Sequence, residues 1–460
     1  MPFDAARGGR PFGEDFARAE EPAQEEHRQA VRRQARNLRL FATTPALRRW
    51  QLEAVRLRRS DGDRRQVEML ETPAGAETLV AAGELLIDAG ALRRASIGRM
   101  VSWHGLEPHA AQHDALAPAV IRLRAPDRVG VRALADLSEG LLLSDAPAAV
   151  NHMIPLAPVG KGIDSPEPAP GLTARYDAGG CTGTRVAVID TGIADQPRDD
   201  GWLTEIERRG EPDRGDPSGE GNIDPLDAFP DPPDGYLDLA AGHGTFVAGI
   251  IRRVAPQADI RVYRALDSDG VGGEFEVAAA MLQAVEDGAQ ILNLSLGSQT
   301  VADREPLAIR RALDLIRARY GRDVLVVAAA GNFGTTARCY PAACDGVIAV
   351  AGLTPELEPA PWSSRGWWVD FSTVAEGVRS TYVEGRESVA VDREPDAFPL
   401  DAWAVWSGTS CAAPQIAGAL AAICDQLGVP LSEALGRLRR SGLPDRRHGF
   451  GVRLEILPGI

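Results

Sequence analysis

Asp190, His243 and Ser410 are the side chains of this 460-residue sequence whose types and surroundings could do chemistry together. Asp190 closes the apolar run Val-Ala-Val-Ile-Asp and is followed by Thr-Gly. His243 stands in Gly-His-Gly-Thr-Phe-Val-Ala-Gly, where small neighbours let another segment approach the ring. Ser410 lies in Ser-Gly-Thr-Ser-Cys-Ala-Ala-Pro, a pattern that opens a helix. A serine hydroxyl is a weak nucleophile until a base takes its proton. An imidazole can be that base, and a carboxylate can fix its tautomer and offset its charge. Singly, each segment has an ordinary structural role: an Asp after a strand caps turns, a lone His is often structural, and Ser-Gly-Thr-Ser can be an N-cap. The order Asp, His, Ser makes the set more than its parts.

Such a trio needs a rigid frame. The apolar runs Val186–Ile189, Ile260–Val262, Ile291–Leu294, Val324–Ala329 and Val347–Val350 alternate with helix-like segments. Continuous rather than alternating hydrophobicity predicts parallel strands buried on both faces. An open α/β sheet of this kind gathers its functional loops at the carboxyl ends of the strands. Asp190, Ser295 and Asn332 each follow such a run, so all three are expected along one edge.

The three segments resemble those of the subtilisin-like serine proteases. The resemblance implies a subtilisin-like three-layer fold with a mainly parallel central sheet over residues 185–460. It also implies endopeptidase activity through an acyl-enzyme at Ser410. Asn332, in Ala-Gly-Asn-Phe-Gly, matches the family's oxyanion-hole residue. Ser268–Gly273 and Leu294–Gly297 resemble the family's substrate-binding edge strands, which makes Gly270, Gly272, Gly273, Ser295, Leu296 and Gly297 binding candidates, with Ala330 and Gly331 beside them. The pocket for the residue before the cleaved bond would hold small, uncharged groups with Cys339 near its floor. Phe246 and Cys411 depart from the residues usual in relatives.

Before this unit, residues 66–155 alternate extended and helical patterns and predict a small α/β N-terminal domain over 26–154: strands at Glu77–Val80 and Ala119–Leu123, and a helix over Val129–Leu143. In the resembled family this position holds a propeptide that aids folding and blocks the active site, so the domain is expected as an intramolecular inhibitor or regulator. Residues 1–25 read as disordered, and 155–184, with five Pro and six Gly, as a linker. The arginines of the helix-forming stretch 25–59, including Arg32, Arg33, Arg36 and Arg39, read as a solvated face, since aromatic residues are sparse there and the chain is acidic overall. The expected partner is therefore a polypeptide, with no nucleic acid and no membrane.

The net charge of −15 is uneven. Between Asp195 and Asp238 stand fourteen acidic residues against four arginines, a net of −10. The resemblance raises Ca²⁺ binding by Asp224, Asp227, Asp231 or Asp234. The spacing matches no EF-type loop, which favours a solvated acidic loop and no required cofactor or metal. Five cysteines without C-x-x-C spacing suggest free thiols in a reducing compartment, with a disulfide between the near neighbours Cys339 and Cys344 as the alternative in an oxidising one. Met1–Leu40 lacks a basic patch followed by an apolar core, so a cytoplasmic protein is expected, with an extracellular one as the alternative. Two rival functions remain: a peptide-binding or signalling module held shut by its N-terminal domain, and a protease dedicated to one precursor.

Overall fold

The computed structural model describes residues 25–60, 65–72, 75, 77–156, 165–172, 175–176, 179–194, 198–210, 235–389, 394–445 and 447–459. The expectations for residues 1–24 and for Asp224, Asp227, Asp231 and Asp234 lie outside them.

The N-terminal region begins with helices α1 (Glu25–Thr43) and α2 (Pro45–Arg58), broken where Pro45 cannot continue the first. It continues with strands β1 (Val67–Glu71) and β2 (Glu77–Asp88), helices α3 (Ala89–Leu92) and α4 (Ala95–Trp103), strands β3 (Glu107–Pro108) and β4 (Val120–Arg124), helix α5 (Val131–Leu143) and strand β5 (Ala148–Pro155). Strand β6 (Glu167–Ala169) follows. The sheet is antiparallel, in the order β5-β2-β4-β3 with β1 also on β2. Its own core packs Leu85, Ile87, Leu123 and Val150 against Leu134 and Leu141 of α5. The strand expected at Glu77–Val80 extends to Asp88.

The C-terminal unit runs through β7 (Arg185–Asp190), β8 (Glu207–Gly210), α6 (His243–Val254), β9 (Asp259–Arg264), β10 (Val271–Gly273), α7 (Glu274–Glu286), β11 (Ile291–Leu294), α8 (Leu307–Tyr320), β12 (Leu325–Ala329) and β13 (Val347–Leu353). Next come β14 (Phe371–Val374), β15 (Val378–Thr381), β16 (Gly385–Arg386), β17 (Ala397–Phe398), β18 (Trp403–Trp406), α9 (Thr409–Leu427), α10 (Leu431–Ser441), β19 (Leu443–Pro444) and β20 (Val452–Arg453). Nine strands form one sheet in the order β19-β20-β14-β13-β12-β11-β7-β9-β8, parallel throughout except where β19 meets β20.

Alternation along β7 explains the three layers. Val186 and Val188 face a core with Ile250 and Ile251 of α6 and Ile416 and Leu420 of α9. Ala187 and Ile189 face the opposite core, with Val277 and Met281 of α7 and Ile309 and Ala312 of α8. All five apolar runs form strands of this sheet, and β9 and β11 flank β7 on opposite sides. The connections therefore diverge at β7, the switch point where α/β sheets open a crevice at the strand carboxyl ends.

Two features of the N-terminal region were not foreseen. α1 presents Leu38 and Ala42 to the C-terminal unit's core, although Arg32, Arg33, Arg36 and Arg39 are solvent-exposed as expected. The proline- and glycine-rich stretch also carries structure: Pro155 belongs to β5, and β6 pairs with β18. No helix among the described residues is long and apolar enough to cross a membrane.

Candidate active site

Asp190, the last residue of β7, is fully buried. Its Oδ1 accepts from the Thr191 backbone N–H at 2.8 Å and from His243 Nδ1 at 2.7 Å. That bond puts the ring proton on Nδ1 and turns Nε2 into an acceptor, the tautomer a general base needs. His243 opens α6, and the first turn of that helix is tied to the segment just after β7: Thr191 Oγ1 accepts from Gly244 N at 3.0 Å, and Thr245 Oγ1 from Ala194 N at 2.9 Å. A Cβ at Gly244 would collide with the Gly192 carbonyl, so the approach requires glycine.

The imidazole is also braced from its side. Trp406 meets it edge-on at 5.3 Å between centroids and meets Phe246 edge-on at 5.5 Å. Phe246 therefore supports the histidine through Trp406. The sequence reading missed Trp406, whose only signal is an aromatic residue four positions before Ser410.

Ser410 lies in the first turn of α9. The turn into it passes through Gly408 at φ +144°, a conformation open to glycine. Pro414 has no N–H to give the Ser410 carbonyl, and Ser295 Oγ donates to that oxygen instead at 3.0 Å. Ser295 is itself fixed by Asn293 Nδ2 at 3.0 Å. Asn332 follows β12, and its Oδ1 accepts from Thr409 N at 3.0 Å and Thr409 Oγ1 at 2.9 Å. The same hydroxyl accepts from Gly331 N at 3.0 Å. With Oδ1 turned to Thr409, the amide's N–H end faces the other way.

The glycine-bearing strands line a groove, and β5 lies in it. Val271, Gly272 and Gly273 pair antiparallel with Pro155, Ile154 and Met153. Leu156 N donates to Gly270 O at 2.9 Å, and Gly297 N donates to Pro155 O at 3.4 Å. Residues 153–156 thus occupy a peptide-shaped slot between Gly270–Gly273 and Gly297. Cys339 sits under Gly297 and Gly331: a Cβ on either would stand 2.7 or 2.9 Å from its sulfur. Burial pushes that thiol up to about 12. Leu296 and Ala330 belong to the sheet core, so their contribution to a pocket is through backbone rather than side chain.

Opposite charges hold the N-terminal region against this groove. Arg59, 1% exposed, donates to Asp269 at 2.6 Å and Asp267 at 2.8 Å, in the turn before β10. Burial works to lower its pKa, but the two carboxylates overcome it and raise it. Arg65 and Arg122 both reach Glu276, at 2.6 Å. Burial alone would raise Glu276, yet these guanidiniums hold it at about 2. All five cysteines are free thiols. Among the described residues no group of three or more His, Cys, Asp or Glu is placed to hold a metal ion.

A parallel sheet with an Asp–His pair and a helix-initiating serine at its carboxyl edge is the architecture of a subtilisin-like protein. Residues 182–429 match the family model described as the subtilase family, and the chain belongs to that family. It is 32% identical over 250 residues to the thermostable alkaline protease of Halalkalibacterium halodurans, covering 52% of this chain and 56% of that protein. It is 30% identical over 257 residues to the thermophilic serine proteinase of Bacillus sp. (strain AK1), covering 54% and 53%. The chain thus spans about half the length of these curated relatives. Fervidolysin from Fervidobacterium pennivorans, a keratinolytic enzyme related to subtilisin, shares the fold at a TM-score of 0.56 and 20% identity, over 82% of this chain and 60% of that one.

Proposed function

We propose that this protein is a serine endopeptidase acting on extended polypeptides. His243 Nε2 takes the Ser410 proton as Oγ attacks the scissile carbonyl, and Asp190 stabilises the imidazolium. The Asn332 amide and the Ser410 backbone N–H stabilise the oxyanion. Collapse expels the amine, which takes the proton from His243 and leaves an acyl-serine. Water then repeats the sequence and frees Ser410. Each step uses groups of this chain and calls for no cofactor; Ca²⁺ at the acidic stretch would be structural. The observation that carries the reading is the 2.7 Å bond from His243 Nδ1 to Asp190 in a subtilase chain.

The N-terminal region acts as an intramolecular inhibitor on this reading. Pro155 and Leu156 lie along the glycine strands as a substrate would, which supports a masked enzyme over a signalling module. Small uncharged groups around Cys339 favour an uncharged side chain before the cleaved bond. A cytoplasmic location fits the free thiols, and a dedicated processing role fits a masked intracellular protease.

A fluorophosphonate probe tests the central claim. Wild-type protein, or protein whose N-terminal region has been proteolytically removed, should label, and Ser410→Ala should not. Labelling that persists in Ser410→Ala, or none even after removal, refutes it.

A further inference from the structure

The edge of β18 leads straight into the nucleophile turn, and the chain itself covers that edge. β6 pairs antiparallel with β18, Glu167 opposite Val405 and Ala169 opposite Trp403. As a strand partner it is minimal: three residues long, with Pro168 at its centre opposite Ala404, where the ring nitrogen faces away from β18. What holds it is α1. Gln34, 2% exposed, donates from Nε2 to Ser165 O at 2.7 Å and to Val405 O at 3.1 Å, and its Oε1 accepts from Ser407 Oγ at 2.7 Å. Arg33 adds an ion pair to Glu167 at 3.0 Å. Farther along α1, Phe41 packs on Phe333 at 6.3 Å, next to Asn332.

The two covered edges lie in a definite order along the chain. Met153–Leu156 runs along β10 and Gly297, the side that binds residues before the cleaved bond on the endopeptidase reading, and β6 comes after it. A polypeptide crossing Ser410 in the direction Met153 to Leu156 carries its residues beyond the bond toward Ser407 and β18. We infer that the Trp403–Trp406 edge is the docking site for the leaving-side segment of an extended polypeptide, and that β6, pinned by Gln34, is its resident occupant. A longer incoming strand makes a more extended ladder than Glu-Pro-Ala and displaces it once the pin is loosened. The blockade is thus double, with β5 before the nucleophile and β6 under α1 after it.

The inference rests on the endopeptidase reading, and the test separates the two. In the full chain carrying Ser410→Ala, which prevents turnover, amide hydrogen exchange at Trp403–Trp406 should be slow. Adding Gln34→Ala should speed it roughly tenfold, the weight of one buried hydrogen bond, with β10 unaffected. A proline-free peptide alternating Thr and Val should restore slow exchange there in the Gln34→Ala protein. Arg33→Ala, which alters only an exposed ion pair, should act in the same direction more weakly and carries the test if Gln34→Ala does not fold. Unchanged exchange at Trp403–Trp406, or protection by the peptide only elsewhere, overturns the proposal. Absence of fluorophosphonate labelling at Ser410, even after the N-terminal region has been removed, would refute the peptidase reading alone, leaving exchange to judge the docking edge.

Discussion

Ser295 Oγ donates to the carbonyl of Ser410, the oxygen that Pro414 leaves without its helical partner. A strand-end residue from β11 thereby anchors the backbone of the proposed nucleophile. Ser295→Ala should orphan that carbonyl and destabilise the protein by about 1–3 kcal/mol. Fluorophosphonate labelling of Ser410 should slow by about tenfold or more, because a displaced nucleophile loses rate steeply. Ser295→Thr should retain most of both. Denaturant unfolding and labelling kinetics on the three proteins check it.

Thr409 plays the matching part for Asn332, giving both its N–H and its hydroxyl to Oδ1. Asn332→Ala should lower kcat by about 10²–10³, the range known for a side-chain oxyanion donor in this family. Thr409→Val should lower kcat by about tenfold through misorientation of the amide, with KM nearly unchanged, since the donor acts in the transition state. Steady-state kinetics on one peptide substrate separates the effects; a change confined to KM would contradict the assigned orientation.

Much of this geometry is legible in the chain because it is local. Asp190 ends an apolar run, and that run becomes the central strand, so its placement at the sheet's carboxyl edge follows from pattern alone. His243 and Ser410 advertise themselves by the small residues that tight turns require. The supports are different in kind. Trp406 against His243, Ser295 against Ser410 and Gln34 against Ser407 join residues far apart in sequence, and no periodicity encodes them. α1 misleads for a related reason: its arginines dominate the composition while the narrower face of Leu38 and Ala42 does the packing. β6 is invisible because Glu-Pro-Ala has no strand propensity, and its conformation comes from β18 and Gln34.

Glu276 gives the interface between the two regions a pH dependence. Arg65 and Arg122 hold its folded pKa at about 2, below the roughly 4.3 of an unfolded glutamate. A depressed acid contributes stability that is complete above the unfolded value and lost as pH falls through the folded one. The stabilisation should therefore be full above about pH 5 and fade toward pH 2. Arg65→Ala should lower the thermal midpoint at neutral pH, and its deficit relative to wild type should shrink below about pH 4. A deficit that grows on acidification would refute the pairing.

Cys339 offers one test of its burial that does not depend on turnover and one of the pocket that does. Its thiol is fully buried beneath Gly297 and Gly331, and burial pushes it up to about 12. At pH near 8 almost no thiolate exists there, so iodoacetamide should leave Cys339 unmodified in native protein and modify it after denaturation, as peptide mass mapping would show. Gly297→Ala would place a methyl 2.7 Å from the sulfur, closer than carbon and sulfur tolerate. Either the Cys339 side chain or the Gly297 backbone must then move, and both border the slot that holds Pro155. The variant should lose kcat/KM most for substrates with large side chains before the cleaved bond and least for those with alanine. Gly297→Ala combined with Cys339→Ala should recover much of the loss, because the second change removes the colliding atom. Equal losses for large and small side chains, or no recovery in the double variant, would place the pocket floor elsewhere.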